Sequence, residues 1–247
     1  MNWSYPDTRG DKGTSLAYAA MLKRLSALVC VLGLVLAACG DDDDEQPAEQ
    51  KAAASAEEQQ PACKDVEQPP PRDGGGQKPP RVPLDPAKTY EVELSTSCGA
   101  FTIRLNQRTA PKAAASFAAL ARSGFFDDTI FHRIVPGFVI QGGDPTASGT
   151  GGPGYSTRDR VPANAAYVPG VVAMAKAGNE PSGTAGSQFF VVTGPDAGLT
   201  PDYALLGKVT KGTDVVQAIG ELGDPASGGA GTPLEPVVIE GAKVSER

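Results

Sequence analysis

Residues 89–106 read TYEVELSTSCGAFTIRLN, and their alternation decides the fold class. Tyr90, Val92 and Leu94 fall on one face, and after a Ser-Cys-Gly turn Phe101, Ile103 and Leu105 do the same. A period of two with one apolar face predicts a half-buried β-hairpin. Downstream, RTAPKAAASFAALARSG (108–124) sets a threonine ahead of a proline, then an alanine-rich run with Phe117 and Leu120, then a stopping Gly124. That order predicts a capped amphipathic helix, with the threonine as candidate cap. Short apolar segments follow between Gly/Pro-rich loops: FHRIV (131–135), FVIQG (138–142), GVVAMA (170–175), SQFFVVT (187–193) and YALLGKV (203–209). A second helix fits GTDVVQAIGEL (212–222), and EPVVIEGAKV (235–244) reads as a final strand. Many short strands and two helices predict a mainly β barrel or sandwich with helices closing its ends.

The chain upstream differs in composition. Residues 1–83 hold nine basic and thirteen acidic side chains, with runs of Ala, Gln, Pro and Gly, while the whole chain carries a formal net charge of −7. No basic run or patch appears, which sets nucleic acid aside as a partner. MLKRLSALVCVLGLVLAACG (21–40) opens on Lys23 and Arg24 and runs apolar from Leu25 to Ala38, short of the roughly 20 residues that a spanning helix needs. A basic start, a short apolar run and small residues make a secretory signal. The twenty residues before Met21 lack that character, so Met21 is the expected start. The ending LAAC resembles the lipobox of bacterial lipoproteins, which implies that Cys39 becomes the lipidated N-terminus; an ordinary signal with a coincidental cysteine is the alternative.

Three regions follow. Residues 1–38 are the signal, 39–83 a disordered acidic and Pro/Gly-rich tether, and 84–247 one folded domain long enough for a single core. The expected location is outside the cytoplasmic membrane, anchored as a lipoprotein through Cys39, with a monomer as the default state. Cys30 falls in the signal, so Cys63 and Cys98 remain, either bridged to staple the tether to the first hairpin or as two separate thiols.

FHRIVPGFVIQGGDP (131–145) concentrates the chemistry. His132 is the one histidine in the chain, so no histidine cluster can hold zinc, and no metal site is expected. No G-x-S-x-G elbow accompanies it. GTGGPG (149–154) lacks the Lys-Ser/Thr of a phosphate loop and reads as a mobile loop. What is left is an apolar surface carrying fixed hydrogen-bond donors, which suits rotation about an X-Pro amide. That reaction breaks no covalent bond and calls for no cofactor; its barrier is amide resonance, about 18–20 kcal/mol. In the twisted transition state the prolyl nitrogen regains a lone pair, and an arginine can donate to it without losing its charge.

FHRIVPGFVIQGGDP, MAKAG (174–178) and GSQFFVVT (186–193), with LLGKV following, resemble the cyclophilin family of peptidyl-prolyl isomerases from about Tyr90 to Val244. The resemblance implies a closed eight-stranded antiparallel β-barrel capped by two α-helices. It implies Arg133 as catalytic donor, with Gln141 bonding substrate backbone or orienting Arg133. Phe138, Val139 and Phe190 would line the proline pocket, with Leu199 on its far wall. Ala175 and Lys176 would offer main-chain groups to the residue before proline, and Gln188 would support the neighbouring surface. Tyr203 stands where the family usually has a pocket histidine, Gly198 where many members have a tryptophan, and Lys176 where asparagine is common. His132 is expected to be structural. The expected partners are proline-containing segments of exported proteins; a peptide-binding or chaperone module with little turnover is the alternative.

Overall fold

The computed structural model describes residues 62–247, so the signal region and Cys39 lie outside the described residues. The predicted hairpin forms β1 (Tyr90–Thr96) and β2 (Gly99–Leu105), with Val92 opposite Ile103 and Leu94 opposite Phe101. The first helix, α1 (Pro111–Arg122), carries Phe117 and Leu120 on its buried side. Its cap differs from expectation. No local side chain caps it; instead the Asp159 carboxylate accepts from Lys112 N (3.1 Å) and Ala113 N (2.8 Å). An acceptor brought from a distant loop does the work that an adjacent Thr, Ser or Asp usually does.

Seven short strands follow: β3 (Thr129–Ile130), β4 (Arg133–Val135), β5 (Val139–Gly142), β6 (Thr157–Arg158), β7 (Val171–Met174), β8 (Thr184–Ala185) and β9 (Phe189–Val192). Then come β10 (Leu205–Lys211), α2 (Thr213–Glu221), a 3-10 segment at Pro225–Ala230, and β11 (Val238–Glu246). The expected closed eight-stranded barrel is replaced by a curled half-barrel, a nine-stranded sheet in the order β3-β11-β1-β2-β10-β7-β9-β5-β4, beside a separate β6-β8 pair. The edge strands β3 and β4 are separated by only Phe131 and His132, yet their ladders do not meet. Backbone bonds flank the gap: Phe131 N donates to Val237 O (2.9 Å), carrying the β3–β11 register one residue further, and Ile134 N donates to Gly231 O (2.8 Å). A single bridge between Ile130 and Asp144 spans the gap. The main core lies inside the curl, where Phe117 meets Phe126 at 4.6 Å between centroids and Phe189 edge-on at 5.3 Å.

Of the 39–83 stretch assigned to a disordered tether, 39–61 lie outside the described residues, while 63–77 run along the domain as a strap. Cys63 and Cys98 are joined by a disulfide, and Lys64 N donates to Ser97 O (2.9 Å). Further on, Arg72 N donates to Pro145 O (2.9 Å) and Gln77 N to Pro153 O (3.0 Å). The Arg72 side chain donates to the carbonyls of Phe125 and Asp127 and lies over the Phe125 ring. Composition misled here because Pro/Gly content measures how little apolar area a segment can bury. This strap is held by backbone bonds, one arginine and a covalent link instead.

Candidate active site

Along β4, β5, β9 and β7 the two-residue period sorts side chains between two apolar clusters. Ile134, Ile140, Phe189, Val191, Val172 and Met174 belong to the main core. Val139, Phe190, Val192, Ala173 and Ala175 join Tyr167 in a second cluster, against which Phe138, Leu199 and Tyr203 pack half-buried. Strand register draws one row across this second face: Arg133 opposite Gln141, Gln141 opposite Phe190, Phe190 opposite Ala173. The guanidinium and the amide therefore stand in line with an aromatic floor. Phe138 reaches it through the turn after β4, where Phe138 N donates to Val135 O (3.1 Å) and Gly137 takes φ +67. Proline then glycine in those places fits a type II turn, whose third residue needs positive φ.

Arg133 is anchored by backbone. Its Nε and Nη2 donate to Gly229 O at 3.2 and 3.0 Å, and Nη1 makes a longer 3.4 Å bond to Gln141 Oε1. Its guanidinium carbon lies 5.8 Å from the Phe138 ring centroid. Burial lowers the arginine's pKa, but a guanidinium starts so high that it stays cationic at any working pH. From Gln141 the bonds continue in one direction: Gln141 Nε2 donates to Gln188 Oε1 (3.0 Å), and Gln188 Nε2 to Gly151 O (2.9 Å). Both glutamines are buried, so each amide is oriented by the next.

The loop carrying Gly151 is organised by Asp144, whose carboxylate accepts from Thr146 N (2.8 Å), Thr146 Oγ1 (2.8 Å) and Gly151 N (3.0 Å). Burial pushes this carboxyl up, but those bonds outweigh it and hold its pKa below the usual value. Between the loop and the 3-10 segment lies a cleft of about 180 Å³, lined by His132, Arg133, Gln141, Ser148, Gly149, Gly229 and Ala230. His132 makes no hydrogen bond through either ring nitrogen among the described residues, and burial lowers its pKa, so it sits as a neutral imidazole.

At the other end of the row, Tyr203 meets Phe190 edge-on at 5.5 Å and Tyr167 at 5.9 Å. The Tyr167 hydroxyl donates to Tyr203 O (2.8 Å) and accepts from Tyr203 N (2.9 Å), fixing its backbone. Burial, then Asp202, pushes the Tyr203 phenol up to about 12, so it stays neutral wherever the protein works. Beside it Lys176 is buried, paired with Asp202 at 2.6 Å, with Nζ 5.6 Å from the Tyr203 ring centroid.

The structure thus brings Arg133, Phe138, Val139, Gln141, Gln188, Phe190, Leu199 and Tyr203 onto one face. Two features stand beside the expected main-chain contacts of Ala175 and Lys176. Ala175 N donates to Gln188 O (2.9 Å), which takes that donor away from a substrate, and Lys176 contributes a buried charge where only its main chain was considered. The Gly229 carbonyl, Asp144, Tyr167 and Asp202 were not anticipated. Among the described residues no group of three or more His, Cys, Asp or Glu could hold a metal ion, and no helix is long and apolar enough to cross a membrane.

The fold is that of the prolyl-bond isomerases. Residues 91–244 match the family described as cyclophilin type peptidyl-prolyl cis-trans isomerase/CLD, and the chain belongs to that family. It is 39% identical over 172 residues to peptidyl-prolyl cis-trans isomerase B of Streptomyces anulatus, covering 62% of this chain and 95% of that one. It is 37% identical over 160 residues to peptidyl-prolyl cis-trans isomerase-like 1 of Aspergillus oryzae, covering 63% and 96%. Among solved structures, it resembles a Cryptosporidium parvum cyclophilin type peptidyl-prolyl cis-trans isomerase (TM-score 0.57, 30% identity, 64% of this chain and 98% of that one). A second structure of that enzyme, determined in the presence of the dipeptide Ala-Pro, matches at TM-score 0.57 and 31% identity, over 63% of this chain and 98% of that one.

Proposed function

We propose that this peptidyl-prolyl cis-trans isomerase turns X-Pro bonds of exported proteins, with Arg133 donating to the prolyl nitrogen as the amide twists. The observation that carries the residue assignment is the row itself: a backbone-anchored guanidinium beside Phe138, in register with Gln141 and Phe190, at the margin of an apolar floor. The proline ring seats against Phe138, Val139, Phe190 and Leu199, with Tyr203 as a neutral aromatic wall. In this drier surrounding a bond to the developing lone pair is worth more than in water. The pocket also disfavours the more polar planar amide, and the Gln141 amide oxygen, accepting from Arg133 Nη1, helps to orient the guanidinium.

The exported setting is supported by the signal-like run after Met21, the cysteine at position 39 and the Cys63–Cys98 disulfide, a bond that persists in oxidising compartments. Lipidation of Cys39 would hold the domain at the membrane surface. A proline-isomerisation assay with Arg133→Ala tests the mechanism. Removing one positioned donor is expected to lower kcat/KM by about 100- to 1,000-fold, with peptide binding retained. An unchanged rate would remove Arg133 from the reaction, and a wild-type chain that binds peptide without turnover would make it a binding module.

A further inference from the structure

The strap reaches the loop on which the row of hydrogen bonds ends. Counting back from the guanidinium, Arg133 bonds Gln141, Gln141 bonds Gln188, and Gln188 bonds the carbonyl of Gly151. Gly151 lies in the Pro145–Pro153 loop. Asp144 ties that loop from within, but its two ends are also bonded from outside, Pro145 O by Arg72 N and Pro153 O by Gln77 N. Between these bonds Gly74 is buried against the loop. A Cβ there would stand 2.2 Å from Pro145 Cγ and 2.9 Å from the Gly152 carbonyl oxygen, so only glycine permits this approach. The strap is itself fixed at two points, by the Cys63–Cys98 disulfide and by the Arg72 guanidinium on the carbonyls of Phe125 and Asp127.

We propose that residues 63–77 are a positioning strap for the isomerase site: Arg72 and Gly74 hold the Pro145–Pro153 loop so that the Gly151 carbonyl orients Gln188, Gln141 and, through them, Arg133. The proposal rests on the isomerase reading of that site. Arg72 is a positioning residue; none of the strap touches the aromatic floor. The proline-binding surface keeps its shape when the strap is released, while the guanidinium loses part of its alignment. The effect therefore falls on kcat and spares KM.

The test uses the full chain with Arg72→Ala, Arg72→Lys and Gly74→Val. Kinetics on an X-Pro peptide are read together with the side-chain amide NMR signals of Gln141 and Gln188, which report the row directly. Arg72→Ala and Gly74→Val are expected to lower kcat by about two- to thirtyfold, the span of a coupling carried through a packed network. KM should stay near its wild-type value and both glutamine amide signals should move. Arg72→Lys, whose ammonium can still donate to the Phe125 and Asp127 carbonyls, should restore most of the rate. Wild-type kcat and unmoved amide signals in both disrupting variants would overturn the proposal, as would a loss confined to KM. If one variant fails to fold, the other carries the same readouts. A wild-type chain with no turnover would sink the isomerase reading instead, and the glutamine signals would still decide whether the strap holds the row.

Discussion

Replacing Asp202 by asparagine leaves the Lys176 ammonium in place without its counter-charge. The lysine side chain is 3% exposed and the aspartate 35%, with 2.6 Å between Nζ and Oδ2. Removing one partner of a fully buried pair costs about 3–5 kcal/mol, whereas an exposed pair is worth about 0–1 kcal/mol. This pair lies between those limits and nearer the first, because the ammonium is almost wholly buried while the carboxylate is partly exposed. Two features soften the loss: Nζ also donates to the carbonyls of Glu180 (3.1 Å) and Ala177 (3.3 Å), and the ring face lies 5.6 Å away. We expect Asp202→Asn to cost about 2–3 kcal/mol, less than the buried limit by the bonds that survive. Lys176→Met combined with Asp202→Asn removes both charges and should lie within about 1 kcal/mol of wild type, since a thioether of similar volume needs no partner. Urea denaturation of the four chains followed by circular dichroism closes a double-mutant cycle. A cost below about 0.5 kcal/mol for Asp202→Asn, or zero coupling in the cycle, would show that the pair behaves as a solvated one and would refute the reasoning.

Three further outcomes are expected. Reducing the Cys63–Cys98 bond, which closes a separation of 35 residues, should cost about 3–4 kcal/mol in urea by the chain-entropy relation, and a loss under about 1 kcal/mol would mean the strap constrains nothing. His132 has a folded pKa below its unfolded 6.5, so the unfolded chain binds the extra proton and stability is lost as pH falls from about 7 through the folded value. His132→Phe should flatten the melting temperature between pH 7.5 and 5, despite the opposing pulls of Asp144 and Arg133 on the ring, and identical slopes in the two chains would reject that role. Asp159→Ala removes both acceptors at the start of α1 and should cost about 1–2 kcal/mol, with Asp159→Asn recovering part of it; equal stabilities would mean the cap carries no net energy.

The hairpin and the short strands were legible because alternation is a local signal, and Tyr90 to Leu105 carries it without interruption. The site was legible for a related reason. Arg133, Gln141 and Phe190 are side chains in register on neighbouring strands, so a motif names them. The rest depended on atoms with no signature in the sequence. The anchor for Arg133 is a backbone carbonyl at Gly229, the cap of α1 comes from Asp159, and the counter-charge of Lys176 sits twenty-six positions away at Asp202. Where the sheet ends, at β3 and β4 with only Phe131 and His132 between them, carries no mark in the alternation of the sequence. The Cys63–Cys98 staple was one of the two readings its cysteines offered, but the rest of the strap was missed because its hold comes from Arg72 and close backbone approach, neither of which shows as apolar content.

The neighbours of β1 set the order in which this domain can assemble. β1 is zipped on one side to β2, a few residues away, and on the other to β11, where Val92 faces Val244. While the chain emerges from a ribosome, the hairpin can form early, but one flank of β1 keeps its N–H and C=O groups open until β11, the last strand in chain order, has been made. α1 likewise waits for Asp159. The nine-stranded sheet is therefore complete only when its last strand is available, and until then β1 presents an open edge of the kind that invites pairing with other chains.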